Sequence, residues 1–123
     1  MTAYADEDFY TKEYKGNPLE NLGRRLVEAS FQVDKMCYGR IRGRGFENLT
    51  EYQKDLIRRA VCAHAEFLDQ YGEAMNAPMS GYSILDVSIS FDKSKIGETL
   101  NGVSSSRDTV DYLNQTGLTV RIL

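Results

Sequence analysis

The chain has 123 residues, 41% of them hydrophobic and 27% charged, with 15 basic against 18 acidic residues and a formal net charge of -3 at pH 7. One domain of ordinary size with enough apolar material for a core follows from this; an intrinsically disordered chain is excluded, and a strongly basic nucleic-acid binder is not the default. Two Cys make no disulfide framework, and no run approaches the roughly 20 apolar residues of a spanning helix. Asp6, Glu7 and Asp8 stand where a secretory signal needs positive charge, so the expectation is a soluble, cytoplasmic chain with no membrane partner.

In chain order, residues 5–15 predict a short helix with Phe9, Tyr10 and Tyr14 on its apolar side, stopped by Gly16. Asn17, Pro18 and Glu20 read as N-cap, first helical residue and capping-box acid. Leu19, Leu22, Leu26, Ala29, Val33 and Met36 then recur at helical spacing as far as about Cys37, with Arg24, Arg25, Glu28 and Asp34 largely on the other side. Residues 38–48 break this periodicity, alternating Gly39, Gly43 and Gly45 with Arg40, Arg42 and Arg44. A second helix starts near Thr50, with Gln53 three residues on, carries Tyr52, Leu56, Ala60, Val61, Ala63, Phe67 and Leu68, and ends near Gly72.

The second half reads differently. Residues 73–81 predict a connector, and Val87, Ser88, Ile89, Ser90 and Phe91 alternate as a strand that Tyr82 and Ile84 extend. No second clear strand run is evident, so 84–91 is expected to pair with a strand of another subunit. Residues 93–103 are ambiguous. A third helix is predicted from about Ser105 to Gln115, ended by Gly117, and Leu118, Val120, Ile122 and Leu123 form an apolar tail around Arg121. The expected fold is therefore mainly α. It is one domain, 1–123: a short N-terminal helix (1–16), a long antiparallel helical hairpin (17–72), a loop and strand arm (73–103), and a C-terminal helix with an extended tail (104–123).

Chemistry is sparse. His64 is the only histidine; it stands two residues from Cys62, and positions i and i+2 of a helix do not face each other, so no metal site is expected. A buried or interface histidine is the favoured reading. A loop centred near residue 44 places Cys62 opposite Leu26 and Cys37 about 16 Å away along the axis, too far for a disulfide. The run Gly39-Arg40-Ile41-Arg42-Gly43-Arg44-Gly45 lacks the Lys-Ser/Thr of a phosphate loop and follows no strand. It reads either as a loop with solvated arginines or as a cationic contact to an acidic partner or nucleic-acid phosphates. Asp6/Asp8 and Asp108/Asp111 read as solvated charges. No catalytic constellation and no cofactor are expected. An unpaired strand and an apolar tail point to an assembly protein.

Four segments, in order, resemble the head–tail connector (adaptor) proteins of tailed bacteriophages and prophages. They are the aromatic opening Tyr4-Ala5-Asp6-Glu7-Asp8-Phe9-Tyr10-Thr11-Lys12-Glu13-Tyr14, the helix running into Met36-Cys37-Tyr38-Gly39-Arg40-Ile41, the stretch Ala60-Val61-Cys62-Ala63-His64-Ala65-Glu66 with the later Asp86-Val87-Ser88-Ile89-Ser90-Phe91, and the ending Asp111-Tyr112-Leu113-Asn114-Gln115-Thr116-Gly117-Leu118. The chain departs from the family's usual Tyr-Arg-Gly ending, having Thr119-Val120-Arg121-Ile122-Leu123 instead. The resemblance implies a structural, non-enzymatic virion protein: a homo-oligomeric, usually twelvefold ring beneath the portal in the virion neck. Genomic DNA passes its lumen without sequence-specific contacts, and a stopper or tail-completion protein binds below. The apolar tail can either fold back on the chain's own bundle or dock on a partner; the resemblance favours docking of Leu118, Val120, Arg121, Ile122 and Leu123 on the portal or a neighbouring subunit, pairing of Val87–Phe91 between subunits, and Arg40, Arg42 and Arg44 facing an interface or the lumen. The alternative is a small helical DNA-binding or regulatory protein using Arg24, Arg25, Arg40, Arg42, Arg44, Arg58 and Arg59. A small enzyme with an unrecognised site ranks last.

Overall fold

In chain order, the computed structural model describes residues 3–72, 98–100 and 103–119. They form a wide, π-type helical segment Phe9–Tyr14, α1 (Leu22–Met36), the five-residue α2 (Arg40–Arg44), a 3₁₀ turn Phe46–Asn48, α3 (Glu51–Phe67) continued by a second π-type segment Leu68–Gly72, β1 (Glu98–Leu100), β2 (Val103–Ser105) and α4 (Arg107–Thr116). The protein is mainly helical, as its apolar spacing predicts.

α3 is the centre. Residues Ala60, Val61, Cys62, Ala63, His64 and Ala65 are all buried, because α1 packs on one side of the helix and α4 on another. Buried surface all round is what a central helix requires, and the alanines let both neighbours approach. Its start follows the sequence signal: the Thr50 hydroxyl accepts the Gln53 N–H at 3.1 Å, and the Gln53 side chain accepts the Thr50 N–H at 3.1 Å. α4 is capped by Ser106, whose hydroxyl accepts the Thr109 N–H, and it ends at Gly117 with φ 77°. Leu26, Val33, Leu56, Ala60, Val61 and Phe67 are buried as expected, and Leu22 packs half-buried against them.

Four expectations need correction. The capping box at Asn17–Pro18 does not form; α1 begins at Leu22 behind a left-handed Asn21. Asn17 is committed elsewhere, since its carbonyl accepts the Tyr10 hydroxyl and its N–H donates to the Glu66 carboxylate at 3.2 Å. The first segment ends at a left-handed Lys15 (φ 59°), not at Gly16. Gly16 is needed for close approach instead: a Cβ there would stand 2.3 Å from Tyr10 Cζ.

The second correction is the glycine–arginine run, which is not an open loop. Tyr38 and Gly39 both take left-handed φ and reverse the chain. Asp34, expected on the outward face of α1, is buried: its carbonyl accepts the Gly39 N–H at 2.8 Å and its Oδ1 accepts the Arg42 N–H at 3.1 Å. One of the otherwise unsatisfied N–H groups that begin α2 is thereby satisfied. With Ile41 and Leu49 buried, the connection packs as two short turns. The helix register shifts accordingly, because the centred loop would bring His64 beside Arg24, whereas His64 meets Gln32.

The third correction is in the arm, where β1 and β2 pair antiparallel, with Glu98 opposite Ser105, Thr99 opposite Ser104 and Leu100 opposite Val103. The chain therefore has strand pairing of its own beyond the single run expected at 84–91. That run, with Val87, Ser88, Ile89, Ser90 and Phe91, lies outside the described residues, as do Val120, Arg121, Ile122 and Leu123. The fourth correction concerns Leu118, expected to dock on a partner: it is 2% exposed and belongs to the chain's own core.

Candidate functional site

The only histidine holds three elements together. His64 Nδ1 lies 2.7 Å from Ser105 Oγ on β2, and Nε2 lies 2.7 Å from Gln32 Oε1 on α1. The Gln32 oxygen only accepts, so Nε2 carries the proton and Nδ1 accepts from the Ser105 hydroxyl. Burial pushes the imidazole down to about 4, so it is neutral at pH 7. A serine and a histidine in contact resemble part of a nucleophilic dyad, but His64 and Ser105 are both 0% exposed, leaving no approach for a substrate. This is a satisfied buried polar network, the role in which a neutral histidine is cheapest to bury.

The cysteines behave likewise. Cys37 and Cys62 are free and buried, and desolvation pushes each thiol up to about 12, so neither supplies thiolate at neutral pH. Glu66 lines a cleft of about 600 Å³ between the N-terminal segment and the start of α4. Both its oxygens are engaged, one by the Tyr14 hydroxyl at 2.8 Å and one by the Asn17 N–H. Among the described residues, no group of three His, Cys, Asp or Glu side chains is placed to hold a metal ion, and no helix is long and apolar enough to cross a membrane.

The three loop arginines do not form one patch. A step of two residues on a helical turn sends Arg42 to a different side from Arg40 and Arg44, which stand four apart. Arg40 turns back: its Nη1 donates to the Leu118 carbonyl at 2.8 Å, and its guanidinium lies 4.8 Å from the Tyr38 ring. Two residues assigned to separate sites, 78 positions apart in sequence, are thus joined. Arg42 goes outward over Phe31, 5.9 Å from the ring. Arg44 is exposed and shares neither contact. Of the other arginines, Arg58 lies over Phe46, Arg59 pairs with Asp55 at 3.0 Å, and Arg25 stands 3.9 Å from Glu28.

Besides Tyr52 on α3, whose hydroxyl donates to Gln115, the outward large hydrophobic side chains gather on an aromatic and basic edge where α1 meets α2. Phe31 is 55% exposed, Tyr38 42% and Val27 39%. Phe31, Asp34, Lys35, Tyr38, Gly39 and Arg42 line an open cleft of about 500 Å³ there. Exposed rings under guanidinium groups are characteristic of contact surfaces. Sequence reading singled out Arg42 and missed Phe31, although Phe31 interrupts the polar side of α1 five residues after Leu26 on the core stripe. No protein-family model, curated protein or solved structure matches the chain.

Proposed function

We propose that the protein is a structural subunit of a phage head–tail connector, acting without catalysis as one member of a homo-oligomeric ring between the portal and a stopper or tail-completion protein in the virion neck. The reading rests on the four ordered sequence segments. The observation that carries it is the exposed Phe31–Tyr38–Arg42 edge, a contact surface on a chain whose histidine, cysteines and Glu66 are all committed to internal packing. In this reading α1 and α3 form the helical hairpin, residues 73–103 an arm whose 84–91 run pairs between subunits, and 120–123 the portal-docking tail. The ring is twelvefold, and its lumen passes DNA without reading sequence.

The test is negative-stain imaging of the purified chain, alone and mixed with its portal. Rings, free or seated on portal particles, are expected. A chain that stays monomeric and leaves the portal bare overturns the reading. Salt-dependent retention on duplex DNA in that case would favour the small DNA-binding alternative.

A further inference from the structure

A ring of identical subunits needs two different, complementary surfaces on each copy. The described residues carry such a pair. One is the basic edge, Val27, Phe31, Tyr38 and Arg42. The other is a groove of about 670 Å³ between the N-terminal segment and the 3₁₀ turn before α3. Its walls are aromatic, with Tyr4 stacked on Phe46 at 5.0 Å and Phe9 beside them. Asp6, Asp8, Glu13 and Glu47 line it, against Lys12 and Arg58. Arg58 is already stacked over Phe46, and Glu47 is paired with Lys54 at 3.4 Å. Asp6 is exposed but its carboxylate accepts the Phe9 N–H at 2.8 Å; Asp8 and Glu13, both exposed, are the acids offered outward, with the exposed Lys12 beside them.

We infer that the Phe31–Arg42 edge of one copy docks into the Asp8–Glu13 groove of the next. The inference rests on the ring reading and names the contact that closes it. Charge complementarity selects a second copy: the edge offers a guanidinium where the groove offers two outward carboxylates against one exposed lysine, Lys12. Apolar complementarity agrees, since Phe31 at 55% exposure needs an apolar cover and the groove is lined with rings. A nucleic-acid backbone supplies the charge without that cover, and the chain's net charge of -3 opposes it.

The experiment is a charge-reversal cycle in the full chain, read by light scattering and sedimentation at low and moderate salt. R42E alone and the double variant D8K/E13K alone should each raise the concentration needed for self-association about tenfold or more. At concentrations where neither variant associates alone, mixing the two should restore association, because in alternating order the reversed edge of R42E meets the reversed groove of D8K/E13K and the unaltered edge of the latter meets the unaltered groove of the former; combining R42E with D8K/E13K in one chain should likewise restore most of the association. Phe31→Ser, at an exposed position, serves as a second variant, with circular dichroism confirming the fold. Rings unaffected by R42E and by Phe31→Ser overturn this contact while leaving the connector reading standing. A wild-type chain that never self-associates overturns the contact, and the connector reading falls with it only if the portal is also left bare. Loss of duplex-DNA retention in R42E with unchanged self-association overturns it in favour of a nucleic-acid surface.

Discussion

Lowering the pH should destabilise this protein through one side chain. His64 is buried with its ring nitrogens bonded to Ser105 and Gln32, and its burial lowers the imidazole from 6.5 to about 4. In the unfolded chain it returns to about 6.5. The folded state is therefore the poorer proton binder, and stability that is full above about pH 6.5 is lost as the pH falls towards 4. The whole shift corresponds to about 3 kcal/mol, of which about 2 kcal/mol is lost between roughly pH 7.5 and pH 5. No other side chain has an ordinary pKa inside that window, because this is the only histidine. Urea denaturation at the two pH values, on the wild type and on His64→Gln, isolates the effect. The wild type should lose about 2 kcal/mol more than the variant. Equal losses in both would refute the argument that burial keeps the ring neutral.

Three further outcomes follow from packing. Leu118→Ala should destabilise the isolated chain by about 2–5 kcal/mol in urea titration, because the side chain fills the chain's own core; wild-type stability would return Leu118 to a docking role. Gly16→Ala should cost about 1–3 kcal/mol, since the added Cβ meets the Tyr10 ring, and a thermal melt unchanged from wild type would show that the ring moves aside. Thr50→Ala should cost about 1 kcal/mol through loss of the capping box that starts α3; an equal melting temperature would mean that packing alone holds that terminus.

Local signals decided what they could decide alone. Thr50 and Gln53 cap α3 because both partners lie within one turn, so the geometry is complete in four residues. Gly117 ends α4 for the same reason, a left-handed residue needing only its own missing Cβ. The core stripes were legible in the 3.6-residue spacing of Leu26, Ala29 and Val33, and of Leu56, Ala60 and Phe67. One local signal was overlooked: Asn101-Gly102, between the paired β1 and β2, is the residue pair most favoured in two-residue hairpins.

Elsewhere a partner distant in sequence prevailed. Asn17 has the chemistry of an N-cap, yet its backbone is taken by Tyr10 and Glu66, the latter 49 positions away. Asp34 sits at an outward-looking position of α1 but is buried by the chain reversal at Tyr38–Gly39, which brings α2 onto its carboxylate. Three arginines in five residues look like one cationic patch, but helical rotation sends Arg42 to a different side from Arg40 and Arg44. Arg40 goes to the Leu118 carbonyl and Arg42 to the Phe31 ring. Hydrogen-bonding capacity and charge are properties of single residues and can be read from the sequence, whereas the partner that uses them depends on which surfaces packing brings within about 3 Å, and only the folded chain decides that.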